Sequence, residues 1–200
     1  MTDFYKRMYN RFARIIRRIY KVDVKGAENI PETGGVILAP NHLSNRDVYI
    51  IAASVSRQVR YVAKESLFRV PILSSLIRAL GAIPIKRGAG DVGAIKATIK
   101  LLNEGEMMGI YPQGTRYIGV DPRTTEPKSG IGLIAYRTRV PIVPVCIWTK
   151  NFRIIPFRKV HIRIGEPIYY TDEDFGKGSK EDYERIAKDT FDKITGMLEI

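Results

Sequence analysis

A single cysteine, two histidines and one tryptophan in 200 residues already exclude several chemistries. Cys146 has no partner for an internal disulfide, and its setting in Val-Pro-Val-Cys-Ile reads as a buried strand, which fits a reducing, cytosolic setting. The two histidines stand far apart, no zinc-ligand spacing is present, and neither a P-loop nor a dinucleotide fingerprint occurs, so no metal and no cofactor are expected. No apolar run approaches the roughly 18 to 20 residues needed to span a bilayer, and the N-terminus lacks the uninterrupted apolar segment of a signal peptide. Any membrane role is therefore expected on the surface, as a peripheral protein. Acidic residues are also scarce: 21 Asp and Glu face 33 Lys and Arg, for a formal charge of +12. That balance favours a polyanionic partner. With no zinc finger, RNP aromatic signature or helix-turn-helix pattern, a nucleic-acid partner would rest on charge alone and is not expected.

What is present is ordinary globular composition, 44% hydrophobic and 27% charged, enough for one substantial core. Short strand-like runs at 20–25, 36–39, 59–63, 81–88, 107–111, 140–147 and 160–164 alternate with helical patterns, predicting an α/β layered fold with a mostly parallel or mixed sheet. Helical segments between 64 and 80 break at Pro71, Asp91 can cap a helix over 92–102, and Ser179 with Asp182 can cap the last one. The prolines in 140–147 suggest an edge, a bulge or a strand start. Residues 3–20 place Phe4, Met8, Phe12, Ile15, Ile16 and Ile19 at helical spacing among Arg7, Arg11, Arg14, Arg17, Arg18 and Lys21. This basic amphipathic helix either packs on the domain or lies in an anionic membrane interface. The division expected is an interfacial helix over 1–20 and a single domain over 21–200.

The stretch Pro40-Asn-His42-Leu-Ser-Asn-Arg-Asp47 follows an apolar strand and precedes a new apolar pattern. His42 and Asp47 can meet only if the histidine sits in the non-helical entry and the aspartate in the first helical turn. Carboxylate to imidazole to substrate hydroxyl is then the logic of a triad whose hydroxyl comes from the substrate. The competing reading makes Ser44 to Asp47 a capping box and Asp47 a helix-start residue. His161 alternates with Val160, Ile162 and Ile164 and reads as structural. Lys86-Arg87 and Gly114-Thr115-Arg116 follow two other strands, so they either converge on a phosphate at one mouth of the sheet or form a solvated basic rim.

Taken in order, His42-Leu-Ser-Asn-Arg-Asp47, Gly81-Ala-Ile-Pro-Ile-Lys-Arg-Gly88, Tyr111-Pro-Gln-Gly-Thr-Arg116 and Val140-Pro-Ile-Val-Pro-Val145 resemble the four blocks of the PlsC-type glycerolipid acyltransferases, and the match is close to the members that acylate 1-acyl-sn-glycerol-3-phosphate. The resemblance runs from Val22 to about Pro167. It implies a mixed sheet flanked by helices with an N-terminal membrane-associating element, acting peripherally at the cytoplasmic face of an anionic membrane surface. It implies acyl transfer from acyl-CoA or acyl carrier protein (acyl-ACP) to a lysophospholipid acceptor, giving phosphatidic acid, with glycerol-3-phosphate or another lysolipid as alternative acceptors and a non-catalytic lipid binder as the inactive relative. His42 is then the general base and Asp47 its orienting partner. Lys86, Arg87 and Arg116 hold the phosphate, Gln113, Gly114 and Thr115 form the acceptor loop, and Pro141 and Pro144 lie on the acyl-donor side. Gln113 stands where the family commonly has Glu, and is expected to hydrogen-bond a glycerol hydroxyl without a carboxylate's charge.

Overall fold

The computed structural model describes residues 3–69, 74, 77, 78, 81–85 and 92–199. The apolar runs form strands β1 (Asp23–Lys25), β2 (Val36–Pro40), β3 (Val59–Arg60), β4 (Val62–Lys64), β5 (Ile83–Ile85), β6 (Met107–Gly109), β7 (Ile142–Thr149) and β8 (Val160–Ile164). Helices α1 (Asp3–Ile19), α2 (Asp47–Ala52), α3 (Val92–Asn103), α4 (Gly130–Thr138), α5 (Asp172–Phe175) and α6 (Lys180–Gly196) fill the intervals. The α6 start carries the expected capping box, Ser179 with Asp182. The break expected at Pro71 and the cap expected at Asp91 lie outside the described residues. No helix among the described residues is long and apolar enough to cross a membrane.

Six strands pair in the order β1-β8-β7-β2-β6-β3, and every neighbouring pair is parallel except β7 with β8. A small parallel pair, β4 with β5, continues from β3, tied through the Ile83 amide to the Tyr61 carbonyl at 2.8 Å. Successive residues of β2 serve opposite faces, as strand geometry requires. Val36 and Leu38 join Ala13, Ile16 and Tyr20 of the N-terminal region, Ile50 and Ile51 of α2, and Val143 and Val145 of β7. Ile37 and Ala39 join Leu102 of α3, Ile131 and Ala135 of α4, and Ile186 and Phe191 of α6. Covering both faces explains why β2 reads as a continuous apolar run rather than an alternating one. The N-terminal helix divides its surface: Ala13 and Ile16 enter the core, while Phe12 and Ile15 are exposed.

The proline expectation needs correction. Pro141 stands at a strand start, but Pro144 sits in the middle of β7, a fully buried strand between β2 and β8. It is tolerated because the Pro144 carbonyl, and hence its missing N–H, faces β8 where that ladder has run out, and there it accepts the Gly165 amide at 2.9 Å. A Cβ on Gly165 would stand 2.9 Å from the Pro144 ring, so only glycine leaves room for it.

Candidate active site

Parallel neighbours β2 and β6 end on the same edge of the sheet, the edge where open α/β sheets bind ligands. From β2 the chain runs directly into Asn41 and His42. The fully buried Asn41 side chain extends the ladder where Pro40 stops, donating to the Ile147 carbonyl at 2.9 Å and accepting the Ile147 amide at 2.7 Å. Asn41→Leu is expected to cost about 2–4 kcal/mol by orphaning both groups, lowering the thermal midpoint by roughly 4–16 °C; a shift below that range would mean the carboxyl end of β2 holds without them.

His42 lies in the non-helical entry and Asp47 opens α2, so the two meet: His42 Nδ1 stands 2.8 Å from Asp47 Oδ2. The same oxygen accepts the amides of Leu43 at 2.7 Å and Ser44 at 2.9 Å. Asp47 thus performs both roles that the sequence left open, starting the helix and orienting the imidazole. An ionised carboxylate only accepts, which places the hydrogen on Nδ1 and leaves the lone pair on Nε2. Asp47 is fully buried, and its Oδ1 has no hydrogen-bond partner. Burial therefore pushes the Asp47 carboxyl above its ordinary value, opposed by the bonds and charge of His42 and by the two amides.

The loop after β6 holds the histidine from the other side. Gln113 Oε1 accepts the His42 amide at 2.6 Å, and the Tyr117 amide donates to the His42 carbonyl at 2.9 Å. Gln113 Nε2 donates to Thr125 Oγ1 at 2.6 Å, and that hydroxyl donates onward to the Pro122 carbonyl at 2.7 Å. Gln113 is fully buried, which corrects the expectation that it meets a glycerol hydroxyl: both amide ends are used inside the protein, beneath His42. The Tyr111 ring stacks on the imidazole with centroids 3.7 Å apart and planes 19° from parallel, and Tyr61 stacks on Tyr111 at 5.9 Å. Gly109 makes this possible, since a Cβ there would lie 2.1 Å from the Tyr61 ring. Gly114, Thr115 and Arg116 are exposed at the rim, and an Arg116 guanidinium nitrogen donates to Asn45 Oδ1.

The Acyltransferase family model matches residues 21–148, well over half of the chain and spanning His42, Asp47 and the 111–117 loop. The chain belongs to this acyltransferase family. It is 32% identical over 154 residues to a 1-acyl-sn-glycerol-3-phosphate acyltransferase of Bacillus subtilis, covering 76% of this chain and 75% of that one. It is 28% identical over 190 residues to the chloroplastic 1-acyl-sn-glycerol-3-phosphate acyltransferase BAT2 of Brassica napus, covering 87% of this chain but 54% of the relative, so it spans about half of that protein's length. The crystal structure of the 1-acyl-sn-glycerophosphate acyltransferase PlsC from Thermotoga maritima superposes with a TM-score of 0.70 at 26% identity, covering 100% of this chain and 84% of the other. The acyltransferase fold, a mostly parallel mixed sheet flanked by helices, is the one expected from the sequence.

Within this acyltransferase, Lys86 and Arg87 lie outside the described residues, so of the three expected phosphate cations the structure places Arg116. Beside it lies Lys128, whose amide donates to the Pro112 carbonyl at 2.8 Å and whose side chain covers Gly114, with Cδ 3.0 Å from where a Cβ there would stand. No sequence signal marks Lys128; only the register of its loop brings it there. Asn41, Tyr111 and Thr125 were also missed, although Asn41 and Tyr111 adjoin strand ends. Pro141 and Pro144 shape β7, and Pro144 is buried. A second histidine–carboxylate pair, His161 Nδ1 with Asp23 Oδ2 at 3.1 Å, differs in kind. His161 stacks on Trp148, while Asp23 is shared with Lys159 and Arg163, a cross-strand ion cluster rather than a dedicated orienting bond.

Proposed function

We propose that this acyltransferase moves a fatty acyl group from acyl-CoA or acyl-ACP to the free sn-2 hydroxyl of 1-acyl-glycerol-3-phosphate, giving phosphatidic acid. The observation that carries the reading is the His42 to Asp47 bond at 2.8 Å, which leaves Nε2 with a lone pair at the mouth of the sheet. The relatives named as 1-acyl-sn-glycerol-3-phosphate acyltransferases support the choice of acceptor. In the reaction, Nε2 takes the hydroxyl proton as the oxygen attacks the thioester carbonyl carbon. The C–O bond forms, the C–S bond breaks, and the departing thiolate receives the proton from the imidazolium. Asp47 holds the ring and balances its transient charge. Arg116 and Lys128, with Lys86 and Arg87 from the second block, supply the cations for the acceptor phosphate.

The test is thiol release from acyl-CoA and from acyl-ACP with a panel of acceptors: 1-acyl-glycerol-3-phosphate, glycerol-3-phosphate, another lysophospholipid and monoacylglycerol. Preference for the first supports the reading; tight lysolipid binding without thiol release from either donor overturns it. Burial pushes the only cysteine, Cys146, up to about 12, so the protein adds little thiol background. Arg116→Ala is expected to raise KM for the phosphate acceptor roughly 10- to 150-fold, the worth of a charge-assisted bond, with kcat far less affected. Equal effects on the phosphate acceptor and on monoacylglycerol would remove Arg116 from the phosphate site.

A further inference from the structure

We propose that the turn Ile155-Pro156-Phe157 is a membrane wedge, an apolar tip that enters the headgroup layer of an anionic bilayer on the same edge of the molecule as His42. The inference rests on the reading above that the acceptor is a lipid. Because β7 is parallel to β2, its last residue, Thr149, ends on the edge that carries His42. Strand β8 runs back antiparallel to β7 and β1 is parallel to β8, so β1 begins, and α1 ends, on that edge too. The loop between β7 and β8 is stitched to both neighbours. The Phe157 amide donates to the Ile19 carbonyl at 2.7 Å, and the Phe152 carbonyl accepts the Gly119 amide at 3.0 Å, two residues beyond Tyr117, which binds the His42 carbonyl.

The tip contradicts what a solvated loop prefers. Pro156 followed by a residue at φ 67° is the pattern of a type II turn, whose third position suits glycine or asparagine. The chain places a phenylalanine there, 72% exposed. Asn151 and Phe152 in the same loop also have left-handed φ, 60° and 51°. A bulky side chain in that region is strained, and here it packs on little. Ile155 beside it, Ile118 and Val120 on the adjoining loop, and Phe12 and Ile15 on α1 are exposed as well. Charge identifies what covers this rim. Residues 150–159 contain Lys150, Arg153, Arg158 and Lys159 and no acidic residue, and α1 exposes Arg11, Arg14 and Arg18. An apolar tip within a cationic ring complements an anionic lipid surface, whereas a second copy would oppose like charges.

The experiment uses the full chain with vesicles of phosphatidylcholine containing phosphatidylglycerol, and with vesicles of phosphatidylcholine alone. Phe157→Asn keeps a backbone that asparagine tolerates while removing the apolar tip. It is expected to weaken partition onto the anionic vesicles roughly tenfold, with the turnover of micelle-dispersed acceptor unchanged and the thermal midpoint no lower than wild type, since asparagine relieves the strain at that φ. Phe157→Trp is expected to keep binding and to gain a blue-shifted emission on anionic vesicles that the buried Trp148 does not contribute. Wild-type partition by Phe157→Asn, or an unshifted Phe157→Trp on vesicles that still capture the protein, overturns the wedge. Equal partition onto both vesicle types overturns the anionic assignment, and a dimer that Phe157→Asn dissociates, without vesicle binding, reassigns the surface to self-association. Tip-dependent, anion-dependent vesicle binding with no thiol release from any donor and acceptor would leave the wedge standing and remove the acyl-transfer reading.

Discussion

His42→Ala is expected to lower turnover about 10²- to 10⁴-fold, the usual worth of a positioned general base, without unfolding the protein. The fold is spared because the loop grips His42 through its backbone: the amide to Gln113 and the carbonyl to Tyr117 survive the substitution. What disappears is the imidazole, with its bond to Asp47 and its stack on Tyr111. The check is thiol release under saturating acceptor beside a thermal melt. Wild-type-like turnover in a folded variant would sink the base assignment, and a lost melt would show that the ring, not the backbone, carries the local structure. Because the imidazole acts on the chemical step, kcat is expected to fall far more than KM rises.

Asp47→Asn is the second large effect, and the geometry sets its size. In serine proteases the equivalent change costs about 10⁴-fold, because the amide imposes the wrong imidazole tautomer. Here the Leu43 and Ser44 amides converge with the imidazole on one oxygen, so the asparagine carbonyl is held in that place and the tautomer is kept. The loss is that of charge stabilisation alone, expected at roughly 10²- to 10³-fold. A fall of 10⁴-fold or more would mean that the amide flips. Stability should move the other way with pH. Since burial raises the folded-state value above the unfolded one, near 3.9, the carboxyl contributes most below that unfolded value and its contribution is lost as pH rises through the folded one. The melting temperature of Asp47→Asn relative to wild type is therefore expected to be higher at pH 7 than at pH 4. The opposite trend would show that the three donors on Oδ2 outweigh burial.

Much of the architecture was legible because it rests on local patterns: apolar runs of strand length, turn residues between them, and a capping box at Ser179. Pro144 was misplaced because the rule for prolines considers one strand, whereas its tolerance depends on where a neighbouring ladder ends and on Gly165 across the gap. The contact of His42 with Asp47 could be foreseen from a strand-to-helix turn. The fate of Gln113 could not, since a partner at Thr125 and a position under the His42 amide are tertiary facts with no trace in spacing. Lys128 and Phe157 escaped for the same reason. One owes its place to the register of a loop, the other its meaning to a backbone conformation that its residue type would not announce.

The grip of the 111–117 loop on both backbone groups of His42 has a consequence for selectivity. Two hydrogen bonds tie the His42 backbone to the loop that carries Arg116, so in the proposed reaction the backbone span between phosphate anchor and base is held. In that reaction the site works as a gauge that favours the hydroxyl at the correct covalent distance from the phosphate, with the backbone setting the points from which the two anchoring side chains reach.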